Sequence, residues 1–161
     1  VAQAHLLTET LRPLGMRIIY SSPLQRALQT AEIIGRELHI PVIVNNDLIE
    51  GNFGINEGQY HKDIILTEEY KNWRNLDAEY IHFRFEGGES KYEIMQRMFA
   101  AVSALLETPE EVIGISSHSA AIRCLMLQFG LKMKRLETGP LRRLTYNDGT
   151  WSVEEICDDS E

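Results

Sequence analysis

Two serine-rich segments carry residues that are suited to binding an anion. In the first, Ser21-Ser22-Pro23 follows an apolar run and precedes an amphipathic segment that contains Arg26. Serine is favoured as a helix N-cap and proline as the first helical residue, so the pattern predicts that Ser22 caps a helix with Arg26 on its first turn. The N–H groups and partial positive charge of that helix end, together with a guanidinium, favour a bound phosphate.

The second segment, 116–119, contains a histidine between serines. His118 follows the apolar run 112–115 and precedes another amphipathic segment. It is therefore predicted to lie at the carboxyl end of a strand, where open α/β sheets bind ligands. A lone histidine in such a place can also be a satisfied core residue, but polar neighbours such as Ser119 suit an anion better than a core. Arg26, His118 and Ser119 are the candidate phosphate ligands.

A carboxylate lies in a third segment, 45–60, which is rich in Asn and Gly and follows the predicted strand 41–44. Glu50 is the candidate acid or base there. Most glutamates in loops are simply solvated, but loops at strand ends are also where catalytic residues concentrate. The spacing alone leaves both readings open.

These motifs, in this order, resemble the pattern of the histidine phosphatase (phosphoglycerate mutase-like) superfamily. The matching pieces are Ser21 to Ala31, Leu48-Ile49-Glu50 with the glycines that follow, Gly88-Glu89-Ser90 with Arg97, and Ser117-His118. The resemblance implies that Arg26 and His118 hold phosphoryl oxygens, and that Glu50 acts as general acid and then as base. It implies hydrolysis of a phosphate monoester through a phosphohistidine, with phosphoglycerate mutase-type phosphoryl transfer as the alternative.

The chain departs from that family in two ways. The family's nucleophile is the histidine of an Arg-His-Gly tripeptide, which this sequence does not contain, and Ser119 stands where relatives usually have glycine. We expect the nucleophile on a segment upstream of the printed chain, because the first helical segment shows no start signal. A non-catalytic relative that binds phosphate without turnover is the other reading. The short interval 51–87 favours a phosphatase over a cofactor-dependent mutase.

Composition restricts the class of protein. With 161 residues, 43% of them hydrophobic, we expect a single domain over residues 1–161 with its own core and no membrane span. The net charge of -8 argues against nucleic acid as a partner. Two cysteines without a pairing pattern, and no signal peptide, favour the cytoplasm. No metal or other cofactor is expected, the predicted partner is a phosphorylated small molecule or inorganic phosphate, and a homo-oligomer is compatible with the sequence.

The elements that must position these residues follow from hydrophobic periodicity. It predicts helices over 1–14, 24–38, 67–75, from a capping box at Ser90 to Pro109, and from Ala121 to Gly130; strands over 17–20, 41–44 and 112–115; a hairpin of 141–146 and 150–156; and a solvated acidic tail. The apolar strand 112–115 is expected to be buried on both faces. This alternation predicts an α/β fold with a mostly parallel sheet, which the resemblance specifies as a three-layer α/β/α sandwich.

Overall fold

The computed structural model describes residues 2–133 and 141–156. Its helices and strands are α1 (Ala2–Leu11), β1 (Ile18–Ser21), α2 (Gln25–Leu38), β2 (Val42–Val44), α3 (His61–Ile64), α4 (Glu68–Arg74), α5 (Lys91–Ala104), β3 (Ile113–Ser116), α6 (Ser119–Leu127), β4 (Leu141–Asn147) and β5 (Thr150–Ile156). The helices and strands predicted from periodicity are confirmed to within a few residues. The predicted acidic tail, with Cys157, lies outside the described residues, as does the segment 134–140. No helix in the described ranges is both long and apolar enough to cross a membrane.

The central sheet has β1 in the middle. Its order is β2-β1-β3, and both pairings are parallel, with Ile19 opposite Val42 on one side and Gly114 on the other. The carboxyl ends of all three strands therefore meet at one edge. The chain turns there into α2 after β1, and into α6 after β3, so both anion-binding candidates start from the same side of the sheet.

Helices cover the two faces of this sheet. Successive strand residues point to opposite faces, so Ile19 packs with Ala31 and Ile34 of α2, whereas Tyr20 packs against the cluster that α5 and α6 form on the other side. The second cluster is larger and includes fully buried Ile94 and Met98. The predicted three-layer α/β/α arrangement is present.

One prediction about β3 is wrong. Val112 and Ile115 are each 37% exposed, although the run 112–115 was expected to be buried on both faces. In the described part of the chain β3 pairs with β1 alone, so nothing described covers its second edge. A central parallel strand normally has a neighbour on each side, and this strand lacks one of the two there.

The hairpin of β4 and β5 forms a separate two-stranded antiparallel sheet. Asp148 and Gly149 both adopt positive φ, at 47° and 84°, as the Asn147-Asp148-Gly149 turn requires. Trp151 attaches the hairpin to the body, because its ring packs against Phe129 of the α5–α6 layer with centroids 5.7 Å apart.

Candidate active site

Arg26 and His118, 92 residues apart in sequence, are in direct contact at the carboxyl end of the sheet. Arg26 Nε donates a hydrogen bond to His118 Nδ1 at 3.1 Å, and His118 Nε2 lies 2.7 Å from Ser22 Oγ. A guanidinium can only donate, so Nδ1 must be the acceptor. The neutral ring therefore carries its proton on Nε2 and donates it to Ser22.

The helix start that was predicted here is wrong in detail. Gln25 is the first residue of α2, Leu24 occupies the N-cap without a side-chain bond, and Pro23 lies outside the helix. Ser22 Oγ instead accepts from the Leu24 N–H, at 3.2 Å, and from His118. The hydroxyl expected to cap the helix thus orients the histidine, while Arg26 remains on the first turn of α2 as predicted.

His118 is neutral at physiological pH. Its side chain is buried, with 5% of the residue exposed. Burial, and secondly the neighbouring Arg26 guanidinium, lower its pKa from 6.5 to about 4, because both disfavour the imidazolium. Arg26 itself is exposed to solvent. Of the two residues in contact here, Arg26 therefore carries the positive charge, and His118 is a neutral hydrogen-bonding group.

The serines around His118 fix its loop to two other segments. Ser116 Oγ donates to the Ala27 carbonyl of α2 at 2.9 Å, and Ser117 Oγ donates to the Leu48 carbonyl at 2.7 Å. Ser119 is different, because its buried Oγ has no hydrogen-bond partner among the described residues. Buried hydroxyls are normally paired, so this one is available to a ligand.

Glu50 lies on the N-terminus of α6, the helix that follows His118. One carboxylate oxygen accepts the Gly51 and Ala121 N–H groups, each at 2.9 Å, and the other accepts the Ala120 N–H at 3.4 Å. The first N–H groups of a helix have no partners within it, and a carboxylate there also interacts favourably with the helix dipole. The N-terminus of α6 thus fixes the orientation of the Glu50 carboxylate. The first helical N–H that contacts it belongs to Ala120, two residues after His118.

Sequence reasoning missed the residues that hold the Glu50 segment in place. Arg97, on α5, donates from Nη1 to the Asp47 and Ile49 carbonyls at 2.7 and 3.0 Å. It also forms a bidentate pair with Glu89, at 2.9 and 3.0 Å, and Glu89 accepts the Asn52 N–H at 2.9 Å. Gly88-Glu89-Ser90 and Arg97 were named as part of the family pattern, but only Ser90 was given a structural role, as the N-cap of a capping box. That box is confirmed at Ser90, but the spacing of a carboxylate and an arginine two helical turns apart was a further signal.

A close backbone contact at Gly54 also fixes the position of the segment that carries Glu50. Gly54 has a φ of 54°, and a Cβ at this position would lie 2.0 Å from the Glu86 carbonyl oxygen. No side chain can be accommodated there, so glycine permits the 50–57 loop to pack against 86–88. The segment that carries the candidate base is therefore held by hydrogen bonds from Arg97 and to Glu89, and by the close packing of Gly54.

Within the described residues, no group of three or more His, Cys, Asp and Glu side chains could hold a metal ion. The predicted residues Arg26, His118, Glu50 and Ser119 meet around the start of α6 and the start of α2. This arrangement joins a charged donor, a neutral histidine, a free hydroxyl and a carboxylate. Such a set fits a phosphoryl group together with an acid and base for its transfer.

The protein has an α/β fold, and its candidate site lies at the carboxyl ends of parallel strands. Residues 1–159 match the histidine phosphatase superfamily, branch 1. The chain belongs to this superfamily, a family of phosphatases and phosphoglycerate mutases.

Curated relatives include mutases by name. The chain is 32% identical over 159 residues to the probable phosphoglycerate mutase GpmB of Yersinia pestis (strain Pestoides F), covering 94% of this chain and 73% of that protein. It is 34% identical over 157 residues to the protein of the same name from Citrobacter koseri, covering 92% and 72%.

Two of the solved structures that share the fold are phosphatases by name. The mycobacterial glucosyl-3-phosphoglycerate phosphatase with inorganic phosphate superposes with a TM-score of 0.82 at 22% identity, covering 95% of this chain and 82% of that one. The alpha-ribazole phosphatase of Shigella flexneri superposes with a TM-score of 0.76 at 24% identity, covering 96% and 80%. At these identities the likeness establishes the α/β fold.

Proposed function

We propose that the protein hydrolyses phosphate monoesters through a phosphohistidine, with the nucleophilic histidine on a segment outside the printed chain. The observation that carries this proposal is the contact between Arg26 and His118 beside the α6 terminus that holds Glu50. The family match and the phosphatases among the structures of the same fold support it.

Each residue has a chemical role in the proposed reaction. Arg26 binds two phosphoryl oxygens through the Nη groups that are not used on His118, and His118 transfers its Nε2–H bond from Ser22 to a third oxygen. Ser119 donates its free hydroxyl to the same group. Because the histidine is neutral, the bound phosphate meets a single full positive charge from these residues.

Glu50 carries the proton in both steps. The nucleophilic imidazole nitrogen attacks phosphorus, the P–O ester bond breaks, and the leaving oxygen takes a proton from Glu50. Water then attacks the phosphohistidine and gives a proton to the Glu50 carboxylate, while the N–P bond electrons return to the imidazole. Inorganic phosphate is released and Glu50 is protonated again for the next cycle.

The second edge of β3 is where the proposal puts the nucleophile. A further parallel strand paired there would end beside Ser116 and His118 and would cover Val112 and Ile115. A histidine at the end of such a strand would lie at the same edge of the sheet as Arg26. The exposed apolar side chains of β3 are consistent with a missing neighbour.

The proposal is tested by supplying that strand. The N-terminal strand of the Yersinia relative is grafted onto this chain, and hydrolysis of 4-nitrophenyl phosphate is compared with and without it. We expect turnover only in the grafted chain, loss of turnover when the grafted histidine is changed to alanine, and a phosphohistidine signal in ³¹P NMR. A folded grafted chain that binds inorganic phosphate but hydrolyses nothing would show a non-catalytic binding protein instead.

Phosphoglycerate mutase-type transfer is the second candidate, favoured by the names of the curated relatives. The same grafted chain is incubated with 3-phosphoglycerate, and the products are followed by ³¹P NMR. Inorganic phosphate as the only product supports the phosphatase. Formation of 2-phosphoglycerate would replace it with the mutase.

A further inference from the structure

A cavity of about 260 Å³ adjoins the candidate site on the side of Glu50. It lies between α6, α4 and the loop that follows Phe53, and Ala120 forms part of its wall. The Ala120 N–H is one of the three N–H groups that donate to the Glu50 carboxylate. The cavity therefore begins where Glu50 would meet the oxygen of a leaving group, and it is small enough to select a small molecule.

Aromatic rings form one wall of this cavity. Trp73 is 7% exposed and packs against Phe53 and Phe85, with ring centroids 5.6 and 6.3 Å apart. Tyr70 also lines the space, and its hydroxyl is fixed by His61 Nε2 at 2.7 Å. The buried Trp73 and Phe85 support the half-buried Phe53 and Tyr70, whose rings are the apolar surfaces on which an aromatic ligand can pack.

The charges around the cavity are mainly positive, although the whole chain has a net charge of -8. Arg74, Lys91 and Arg123 line it, against the single carboxylate of Glu57. Lys91 is already used, since it donates to the Trp73 carbonyl at 2.6 Å. Among the described residues neither Arg74 nor Arg123 has a salt-bridge partner.

Arg123 is the better placed of these two arginines. It lies one turn after Ala120 on α6, is half-buried, and donates from Nε to the Ser119 carbonyl at 3.3 Å. A half-buried guanidinium whose only described partner is a backbone carbonyl can form a charge-assisted pair with a ligand carboxylate.

We propose that this cavity binds the alcohol portion of the substrate, and that this portion is a small aromatic group bearing a carboxylate that pairs with Arg123. The inference rests on the proposed function, because it takes Glu50 as the group that protonates the leaving oxygen. The aromatic side chains of the cavity pack against the aromatic ring of the ligand, and Arg123 pairs with its carboxylate.

The experiment measures binding by calorimetry to the chain as it is, without the graft. The probes are 4-carboxyphenyl phosphate, phenyl phosphate, 4-hydroxybenzoate, 3-phosphoglycerate and inorganic phosphate. We expect 4-carboxyphenyl phosphate to bind about tenfold more tightly than phenyl phosphate, as one charge-assisted pair provides. It should also bind more tightly than 3-phosphoglycerate, which carries a carboxylate but no ring.

Two variants test whether Arg123 causes the preference for 4-carboxyphenyl phosphate over phenyl phosphate. Arg123→Met should bring the ratio of the two aromatic affinities close to one, and Arg123→Lys should retain part of it. Arg84→Met is the matched control, because Arg84 is exposed, lies outside the cavity and pairs with Glu93. It should leave the ratio unchanged.

The outcomes separate the two proposals. Equal wild-type affinities for the two aromatic esters, or a ratio that Arg123→Met does not alter, would overturn the cavity assignment and leave the phosphatase standing. If 3-phosphoglycerate binds as tightly as 4-carboxyphenyl phosphate, the aromatic part is wrong. If inorganic phosphate does not bind while 4-hydroxybenzoate still does, the proposed function fails, and the cavity binds an aromatic acid that is not the alcohol portion of a phosphate ester.

Discussion

The buried neutral histidine and the exposed arginine have different chemical roles at this site. Arg26 supplies charge and can be reached from solvent, whereas His118 supplies a directed N–H whose tautomer is fixed by the arginine. The histidine cannot easily become charged, since the guanidinium and the burial both oppose it.

That environment makes stability depend on pH. His118 has a pKa of about 4 in the folded protein and an ordinary value of 6.5, so between these values the unfolded chain binds more protons. The neutral His118 side chain contributes about 3 kcal/mol to the free energy of unfolding above pH 6.5, relative to pH 4. This contribution is lost as the pH falls from 6.5 to 4. Urea unfolding of wild type and His118→Gln should therefore show a stability difference that shrinks over this range.

His82 provides the control for this measurement, because it is exposed. His82→Gln should change the free energy of unfolding only slightly at pH 7, as expected for an exposed side chain. A His118→Gln difference that does not change with pH would contradict the tautomer and the burial assigned to His118.

Ser119 should respond in opposite directions in two assays. Its hydroxyl is buried without a described partner, so Ser119→Ala should leave the free energy of unfolding unchanged or raise it by about 1 kcal/mol. If the hydroxyl binds phosphate as proposed, the same variant should bind inorganic phosphate several-fold more weakly. Thermal unfolding and calorimetry measure the two effects. A variant that is less stable and binds phosphate normally would show that Ser119 is structural.

The identity of these residues was accessible from the sequence, but their contacts were not. Arg26, His118 and Glu50 stand in recognisable local patterns. Ser22 was assigned to the helix because only its neighbours could be considered, whereas its actual partner is 96 residues away. Local spacing does not record which distant residue competes for a hydroxyl.

At the scale of elements, α5 organises the loop that carries Glu50. Its N-terminus is closed by the capping box at Ser90, and Arg97, two turns further on, reaches the loop carbonyls. The sequence predicts this helix well, because the box and the apolar spacing are local. It does not predict the clamp, by which we mean Arg97 with its partner Glu89 and the loop carbonyls of Asp47 and Ile49. These carbonyls lie 50 and 48 residues away from Arg97 in the sequence.

The clamp should be energetically cooperative. Arg97→Met leaves Glu89 partly buried without its partner and removes two bonds to loop carbonyls, so we expect a loss of about 2 kcal/mol in the free energy of unfolding. Glu89→Gln should cost less, and the double variant should cost less than the sum. The grafted chain should also lose kcat, since Glu50 would no longer be held.

The exposed pair of Arg12 with Glu9 gives the comparison for this clamp. Arg12→Met should change the free energy of unfolding by less than about 0.5 kcal/mol. Additive effects of Arg97→Met and Glu89→Gln in urea unfolding would mean that the two residues do not act as one unit.

At the scale of the whole molecule, two buried groups in the α5–α6 layer set the alkaline behaviour. Burial lowers the pKa of Lys91 to about 8 and raises the pKa of the Cys124 thiol to about 12. The lysine contribution to stability grows as the pH rises from 8 to 10.5, because the unfolded chain then holds the extra proton. The cysteine contribution is complete below pH 9 and is lost between pH 9 and 12.

The two opposing effects predict a rise in stability from pH 8 to 9, a plateau between pH 9 and 10.5 where they cancel, and a fall above pH 10.5. Urea unfolding from pH 7 to 11 under reducing conditions should show this profile in the wild type. Cys124→Ala should let the rise continue to pH 10.5 and remove the fall above it, and Lys91→Met should remove the rise and let the fall begin near pH 9. A wild-type profile that neither variant changes would mean that these buried groups do not set it.

The architecture itself was largely readable from the sequence. Alternating strands and helices gave the parallel sheet, and Asn147-Asp148-Gly149 gave the hairpin. The error at β3 has a physical cause: an apolar run such as 112–115 indicates a strand built to be buried, but not which neighbour buries it. The burial of a strand depends on its neighbours, and within the described residues Val112 and Ile115 stay partly exposed because β3 pairs with β1 alone.

The hydrogen bond from the Ala121 N–H to Glu50 gives this protein an internal spectroscopic reporter. An amide proton held 2.9 Å (N to O) from a carboxylate oxygen changes its chemical shift when that oxygen gains or loses a proton. A ¹⁵N–¹H correlation spectrum followed against pH would read the Glu50 titration from a neighbouring residue, without substituting the carboxylate. Adding phosphate would then show directly, at one peak, whether the proposed acid and the proposed anion site sense each other.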